Sequence, residues 1–325
     1  MNSKFKSKSI LFFRQYIGIL IGLLAIIILF SVISPTFLTS MNITNILRTA
    51  SSNIYLACGM TMVIILGGID LSVGSVIALS GVVTVSMIAG NVPVAIAVLG
   101  GVVIGVISGL FNGFVLAYTT IPAFIVTLAS MDICRGAAYV VSNGQPIRCM
   151  DDNFINIGCG YLGSIPLPVI YFIVIALFSS ILLNKTKFGR YVYATGGNRE
   201  AAQYSGVKIK KVTVITYLLS GIFAAIAGVV LASRMFSGQP TSGNGAEMDA
   251  VAAVVLGGTS MTGGSGKIGG TIIGALVIGT LNNGLNLMNV NSFWQYIVKG
   301  IVILLAVYID FLKQKRQNLS KIKIA

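Results

Sequence analysis

The feature that most constrains the fold is a run of 61 residues, Leu71–Met131, without a single charged side chain. A transmembrane helix needs about 20 mostly apolar residues, so this run must fold back on itself across a membrane. The composition agrees: 55% of the residues are hydrophobic and 9% are charged, whereas a soluble domain carries about a quarter charged residues. The chain is therefore predicted to be an integral membrane protein. Further charge-free stretches are Gln15–Leu47, Asn153–Asn184, Val212–Ser233 and Ile268–Val298.

The sequence lacks the alternating polar and apolar pattern of a transmembrane β-barrel, so its spans are predicted to be helices. The expected fold class is an all-α integral membrane protein with about ten transmembrane helices. Two spans, 75–90 and 248–260, are short and rich in glycine or serine. Such segments are tolerated where protein or a water-filled cavity satisfies the backbone; they either line a pathway or are short helices of a tight bundle. The predicted spans are residues 16–34, 51–67, 75–90, 93–118, 123–142, 166–184, 213–234, 248–260, 268–288 and 294–310.

The basic residues predict the orientation. Sixteen of the 22 lysines and arginines lie before the first span, in residues 185–211, or after residue 310. Because basic residues collect on the cytoplasmic side, both termini and residues 185–211 are predicted to be cytoplasmic, with the 143–165 loop outside. This orientation accounts for the net charge of +14, so we do not expect nucleic acid as a partner. The predicted segments are a cytoplasmic segment 1–15, a transmembrane domain 16–310 with a cytoplasmic loop 185–211, and a basic tail 311–325.

The residues of this chain do not predict a catalytic site. The chain has no histidine, so the usual nucleophile–base pair cannot be assembled, and we expect no catalytic site, metal or cofactor. The stretch GGTSMTGGSGKIGG, residues 257–270, looks like a phosphate-binding loop. However, Ile268 stands where Ser or Thr is required, and Met261 stands where the first glycine is required. The chain is therefore not expected to hydrolyse ATP.

The acidic residues bear on ion coupling, because a charge at bilayer depth is costly and usually functional. Asp132 is predicted to lie inside a span and to be neutralised by Arg135 three residues later. Asp70 is predicted to lie at a cytoplasmic turn. So few deep carboxylates argue against a proton- or sodium-coupled carrier. In the outer loop, Cys149 and Cys159 could form a disulfide if the compartment oxidises them.

Residues 196–211, GGNREAAQYSGVKIKK, form a polar patch between two apolar runs. Asn198 can begin a helix, Glu200 suits the positive N-terminal end of its dipole, and Gly206 can end it in a left-handed cap. Ala201 and Ala202 are small enough to let another surface approach closely. The pattern predicts a two-turn cytoplasmic helix that is capped at both ends.

The spacing of this helix matches EAA-x3-G, the docking signature of the permeases of ABC importers. Together with GGIDLSVGSVIALSG (67–81), TKFGRYVYATGGN (186–198), EMDAVAAVVLGGTS (247–260) and LNNGLNLMNV (281–290), it makes the chain resemble the permeases of monosaccharide ABC importers, in particular the ribose type. The resemblance implies a bacterial inner-membrane protein that works with a separate cytoplasmic ATPase, an extracytoplasmic solute-binding protein and a second permease copy in a homodimer. It implies that the ATPase docks at Gly197, Asn198, Glu200, Ala201, Ala202 and Gly206.

Uncharged polar residues in the spans are candidates for a translocation pathway. Amide and hydroxyl groups can hydrogen-bond a neutral polyol without holding it tightly, but the same groups can also bond one helix to another. The candidates are Ser72, Ser75, Asn112, Asn282, Asn283 and Asn286, with Ser80 beside them.

An internal repeat is suggested by GGVVIG (100–105) and GGTIIG (269–274), each followed by an Asn-Gly pair. The predicted topology runs the two copies in opposite directions, which is typical of transporters built from inverted repeats. The alternative is chance similarity among helices that are rich in glycine, valine and isoleucine.

The function expected from the sequence is that of the membrane subunit of an ATP-driven importer for ribose or a similar monosaccharide. The same machinery could carry another small solute, such as a nucleoside, an amino acid or a signalling sugar. A stand-alone secondary carrier would explain the spans but not the docking signature.

Overall fold

The computed structural model describes residues 2–291, 293–302, 304–305 and 308, with side chains from residue 16 onward. Within these residues the chain is almost entirely helical, and residues 293–302 form a helical segment after the last labelled helix. Four two-residue strands make two short antiparallel ladders: β1 (Ile147–Arg148) pairs with β4 (Ser237–Gly238), and β2 (Tyr161–Leu162) with β3 (Ile165–Pro166). The helices are α1 (Asn2–Ile33), α2 (Ser40–Leu66), α3 (Val73–Ala89), α4 (Val94–Tyr118), α5 (Ala123–Ser142), α6 (Asp152–Cys159), α7 (Leu167–Lys185), α8 (Lys187–Gly197), α9 (Arg199–Tyr204), α10 (Ile209–Arg234), α11 (Ala246–Leu256) and α12 (Ile268–Leu287).

The prediction of a helical membrane protein is confirmed. Seven helices of the described chain, α1, α2, α4, α5, α7, α10 and α12, are long and apolar enough to cross a membrane. Two more predicted spans correspond to shorter helices, since α3 has 17 residues and α11 has 11. The tenth predicted span, 294–310, is described as continuous helix only to residue 302. A count of ten spans therefore stays a prediction.

Helix α2 begins earlier than the predicted span at residue 51. Its N-terminal turn is capped by Thr39, whose hydroxyl accepts from the Asn42 backbone N–H at 3.4 Å. The sequence criterion excluded this polar start because it assumed a lipid environment. In the structure 83% of the apolar window of α2 is buried, against 11% for α1. Helix α2 is thus a central helix whose polar residues find partners inside the protein.

Glycines bring α4 close to α10. A Cβ atom built on Gly109 would lie 2.8 Å from Leu218 Cα, and one built on Gly113 would lie 2.8 Å from Val214 Cα. Backbones this close require small residues at the crossing. Helices α11 and α12 make a similar contact, because a Cβ on Gly257 would lie 2.5 Å from the carbonyl carbon of Gly270. Each of these helix pairs is therefore held at short range.

The predicted roles of the acidic residues were wrong in two respects. Asp132 is exposed, and it does not pair with Arg135. The Arg135 guanidinium instead donates from Nη1 to the carbonyl oxygens of Pro240 at 2.6 Å and Ser242 at 2.8 Å. The guanidinium therefore points to the loop after α10 and not along its own helix to Asp132. Asp70, in contrast, is only 1% exposed.

The outer loop contains no disulfide. All four cysteines are free, and Cys149 is buried. The loop is held instead by backbone pairing, since β1 pairs with β4 and Cys149 N donates to Phe236 O at 2.9 Å. This pairing ties the predicted external loop to the end of α10.

Candidate docking and translocation sites

The loop 185–211, predicted to be cytoplasmic and to dock an ATPase, is folded into two short helices. Thr186 caps α8 by accepting from the Gly189 backbone N–H at 3.2 Å, and Asn198 Oδ1 caps α9 by accepting from Ala201 N at 2.9 Å. Such caps satisfy backbone donors that a helix start leaves free. The predicted start of the docking helix is confirmed.

The end of α9 is also confirmed. Gly206 has φ +81°, in the left-handed region. Its N–H donates to Gln203 O at 3.0 Å, and Val207 N donates to Ala202 O at 3.1 Å. These two bonds form a Schellman motif, which satisfies the last carbonyls of the helix. The loop is therefore a rigid, capped element rather than a flexible connection.

The two small residues of the signature differ in exposure. Ala202 is 4% exposed and packs inside its own chain, whereas Glu200 and Ala201 are exposed. Tyr204, the aromatic residue of this helix, is 91% exposed. The exposed residues Asn198, Glu200, Ala201 and Tyr204 are called the docking face below. Sequence reasoning missed Tyr204; an aromatic residue within a short polar loop was the available signal.

A cavity of about 330 Å³ opens beside the docking face. It lies among the end of α2, the turn between α4 and α5, and the start of α10, and Arg199 is the charged residue that lines it. Lys210 adds a second positive charge nearby, with Nζ 4.4 Å from the centroid of the Tyr118 ring. The surroundings of the docking face therefore suit an acidic partner surface.

The glycine-rich stretch 257–270 has a structural role. Its residue Gly266 accepts a hydrogen bond from the Tyr193 hydroxyl of α8 at 2.7 Å. Burial raises the pKa of Tyr193 above its usual value, which favours the protonated phenol that donates this bond. The stretch supports the loop that contains the docking face.

Among the pathway candidates, Ser72 and Asn112 belong to one buried network. Asn112 Nδ2 donates to Ser72 Oγ at 2.9 Å, and Ser72 Oγ donates to Asp70 Oδ1 at 2.6 Å. Asp70 Oδ2 accepts from Ser220 Oγ at 2.8 Å. The network thus joins α3, α4 and α10. A buried carboxylate needs such donors. Sequence reasoning placed Asp70 at a turn but missed its burial and its bond to Ser220, because Ser220 is 150 residues away.

The candidates on α12 point to three different partners. Asn282 Nδ2 donates to Asp249 Oδ2 at 3.1 Å, and the same oxygen accepts from Lys299 Nζ at 3.0 Å. Asn283 exchanges two hydrogen bonds with Asn42, at 2.9 and 3.0 Å. Exposed Asn286 accepts from Gln295 Nε2 at 2.8 Å. In the described chain no hydrogen bond joins this group to the Asp70 network.

Several polar atoms near these residues are buried without a partner in the described structure. Ser75 Oγ, Asn112 Oδ1 and Asn282 Oδ1 have none, and neither does Tyr217 Oη. A buried polar atom without a partner costs about 1–3 kcal/mol. Such atoms are suited to water or to the hydroxyl groups of a passing ligand. The structure thus leaves both uses of the candidates, packing and pathway, available.

Comparison with known proteins identifies related permeases. A family model described as "Branched-chain amino acid transport system / permease component" matches residues 42–307. The ribose import permease protein RbsC of Bacillus subtilis (strain 168) is 47% identical over 298 residues, which cover 91% of this chain and 92% of the relative. RbsC of Escherichia coli (strain K12) is 45% identical over 299 residues, covering 91% and 93%. The L-arabinose transport system permease protein AraH of the same strain is 41% identical over 304 residues, covering 94% and 92%. No solved structure matches.

Proposed function

The chain belongs to the family of branched-chain amino acid transport system permease components, and we propose that it is the membrane subunit of an ATP-driven importer for ribose or a similar monosaccharide. The observation that carries the proposal is the 47% identity to a ribose import permease over nearly the full length of both chains. The relatives named for arabinose and allose, at 41% and 39%, also carry sugars by name. This agreement favours a sugar over the amino acid in the family description.

A separate ATPase is proposed to dock on the loop 185–211. Gly197, Asn198, Glu200, Ala201, Ala202 and Gly206 form or support its contact surface. The capped helix α9, the exposed Tyr204 and the positive charges of Arg199 and Lys210 support this proposal. Exposed aromatic residues often anchor protein interfaces.

The proposed assembly is a homodimer in the bacterial inner membrane, with both termini cytoplasmic and a solute-binding protein on the outer side. Ten spans are proposed, in which α3 and α11 cross as short helices packed against protein. An internal two-fold relation is supported by matching contacts: α10 packs on α3 and α4, and α2 packs on α11 and α12. The contact between α3 and α4 likewise matches that between α11 and α12. Inverted repeats of this kind place the pathway at their interface.

The proposed pathway runs along the polar residues of α12. Asn286 is exposed, and Asn282 retains a carbonyl oxygen without a partner in the described structure. Asn283 belongs to the same helix. Ser72 and Asn112 support the pathway from the buried network at the start of α3, and Ser75 adds a buried hydroxyl without a partner in the described structure. Neutral hydrogen-bonding groups of this kind suit a sugar.

The test is reconstitution of the chain with its ATPase and solute-binding protein in liposomes. Ribose is expected to stimulate ATP hydrolysis and uptake more than arabinose or allose, and leucine is expected to have no effect. Stimulation by leucine alone would assign the chain to amino acid import. Uptake that proceeds without ATP would instead identify a secondary carrier.

A further inference from the structure

The loop between α11 and α12 makes a cluster of backbone contacts with the end of α2 and with the docking loop, residues 185–211. Gly264 N donates to Ile65 O, the carbonyl near the end of α2, at 2.9 Å. A Cβ on Gly264 would lie 2.7 Å from Gly197 Cα, and one on Gly263 would lie 2.8 Å from Gly196 O. A Cβ on Gly196 would meet the Ile65 carbonyl oxygen directly. Ile65, Gly196, Gly197, Gly263 and Gly264 are called the glycine junction.

The glycine junction is stiff. Contacts between side chains can adapt by changing rotamers, whereas three backbones in direct contact leave no side chain to yield, and close-packed interiors transmit displacement. The loop that supplies Gly263 and Gly264 is itself braced, because Ser260 N donates to Ser265 O at 3.1 Å. The Tyr193 hydroxyl adds a bond from α8 to Gly266. A displacement of α8 and α9 therefore has to displace this loop.

The loop leads to α12, which contains three of the six pathway candidates, Asn282, Asn283 and Asn286. Helices α11 and α12 are in backbone contact where Gly257 meets Gly270. Further along they are joined by the hydrogen bond from Asn282 to Asp249, and Lys299 joins the same carboxylate. The two helices can therefore respond to the loop as a single unit. The short connection from α9 to α10, residues 205–208, offers the other route for the same movement.

We propose that the glycine junction transmits the movement of the ATPase from the docking loop to the α11–α12 pair, and that this contact couples ATP hydrolysis to transport. The proposal rests on the docking of an ATPase at α9. Gly264 and Tyr193 are positioning residues in it, since they act through the helices that they support.

The test compares two glycines of the same loop in the reconstituted complex. Gly264 and Gly258 both have positive φ, +70° and +83°, but a Cβ on Gly258 would have nothing within 4 Å. Gly264→Ala and Gly258→Ala therefore share the backbone strain and differ in the contact. For Gly264→Ala the sugar imported per ATP hydrolysed is expected to fall about fivefold with the ATPase still bound, a size typical of mutations along coupled contacts. Gly258→Ala is expected to stay near the unmodified chain.

Equal coupling in the two alanine variants would overturn the proposal. Should Gly264→Ala fail to assemble, Tyr193→Phe removes the bond to Gly266 without adding an atom. Its transport per ATP is expected to fall about threefold, as the loss of one hydrogen bond implies, with ATPase binding unchanged. Unchanged coupling in Tyr193→Phe would then reject the proposal. If no ATPase co-purifies with the unmodified chain, the proposed function fails and this inference fails with it.

Discussion

Gly206 is a position where the backbone restricts which residue can follow α9. At φ +81° a residue with a β-branched side chain is strained by about 1–2 kcal/mol, whereas asparagine tolerates the left-handed region. Gly206→Val is therefore expected to loosen the end of α9 and to reduce co-purification of the ATPase, while Gly206→Asn retains most of it. Protein in the membrane should be equal in both variants because the loop lies outside the predicted spans.

Glu200→Gln provides the contrast on the same helix. Glu200 is exposed, and exposed charge contacts contribute little, so this change should be milder than Gly206→Val. The measurement is the amount of ATPase that co-purifies with Gly206→Val, Gly206→Asn and Glu200→Gln. Wild-type recovery with Gly206→Val would show that the capped end of α9 is not needed for docking.

Ala201 and Ala202 are adjacent but face different surroundings. Ala201 is exposed on the docking face, and Ala202 is buried against its own chain. Ala201→Trp is expected to block the ATPase by bulk while the loop stays folded. Ala202→Trp should instead displace α9 and make the loop sensitive to protease. Limited proteolysis and a pull-down on each variant separate the two effects, and full ATPase binding by Ala201→Trp would place the contact elsewhere.

Between elements, the amide pair Asn42–Asn283 joins the start of α2 to α12. Asn42→Leu leaves the Asn283 amide without either of these bonds, whereas Asn283→Leu leaves Asn42 with its bond from Nδ2 to Phe37 O at 2.8 Å. A buried polar atom that loses its partner costs about 1–3 kcal/mol. If the pair serves packing, Asn42→Leu and Asn283→Leu should each lower the melting temperature. The double variant should then be less destabilised than the sum, as a double-mutant cycle of bonded residues predicts.

Uptake measurements on the same variants test the pathway role. A pathway contact made by Asn283 predicts that Asn283→Leu lowers uptake more than Asn42→Leu at equal protein in the membrane. Equal uptake by the two variants would assign Asn283 to packing. Asn112→Leu is the comparison for the uptake measurement, because Asn112 is buried and its amide nitrogen already donates to Ser72.

The elements that the sequence predicted well are those with local causes. The caps of α9 depend on Asn198 and Gly206, which bond to backbone atoms within a few residues. The burial of Asp70 depends on a distant partner, Ser220, which is 150 residues away. The burial of Ala202 and the exposure of Ala201 depend on how α9 packs against the rest of the chain. The spacing of residues in the sequence does not determine this packing. The contact of the 257–270 stretch with α8 was not predicted either, because Tyr193 and Gly266 are far apart in the sequence.

At the scale of the whole molecule, the bundle separates a buried centre from an apolar periphery. Helices α2 and α12 are mostly buried, while most residues of the apolar windows of α1, α4 and α5 are half-buried or exposed. Exposed residues such as Leu24, Ile107 and Ile133 suit a lipid environment. The basic residues then determine which end of this bundle faces the cytoplasm.

The orientation can be tested with two exposed positions that the topology places on opposite sides. Both variants are made in a Cys159→Ser background, because Cys159 is the one native cysteine that is not buried. A membrane-impermeant maleimide is expected to label Met150→Cys on intact cells, because Met150 is 78% exposed in the outer loop. Lys208→Cys, exposed beside α9, should react only after the membrane is permeabilised. Labelling of Lys208→Cys from outside would contradict the ten-span arrangement and place the docking face on the wrong side for an ATPase.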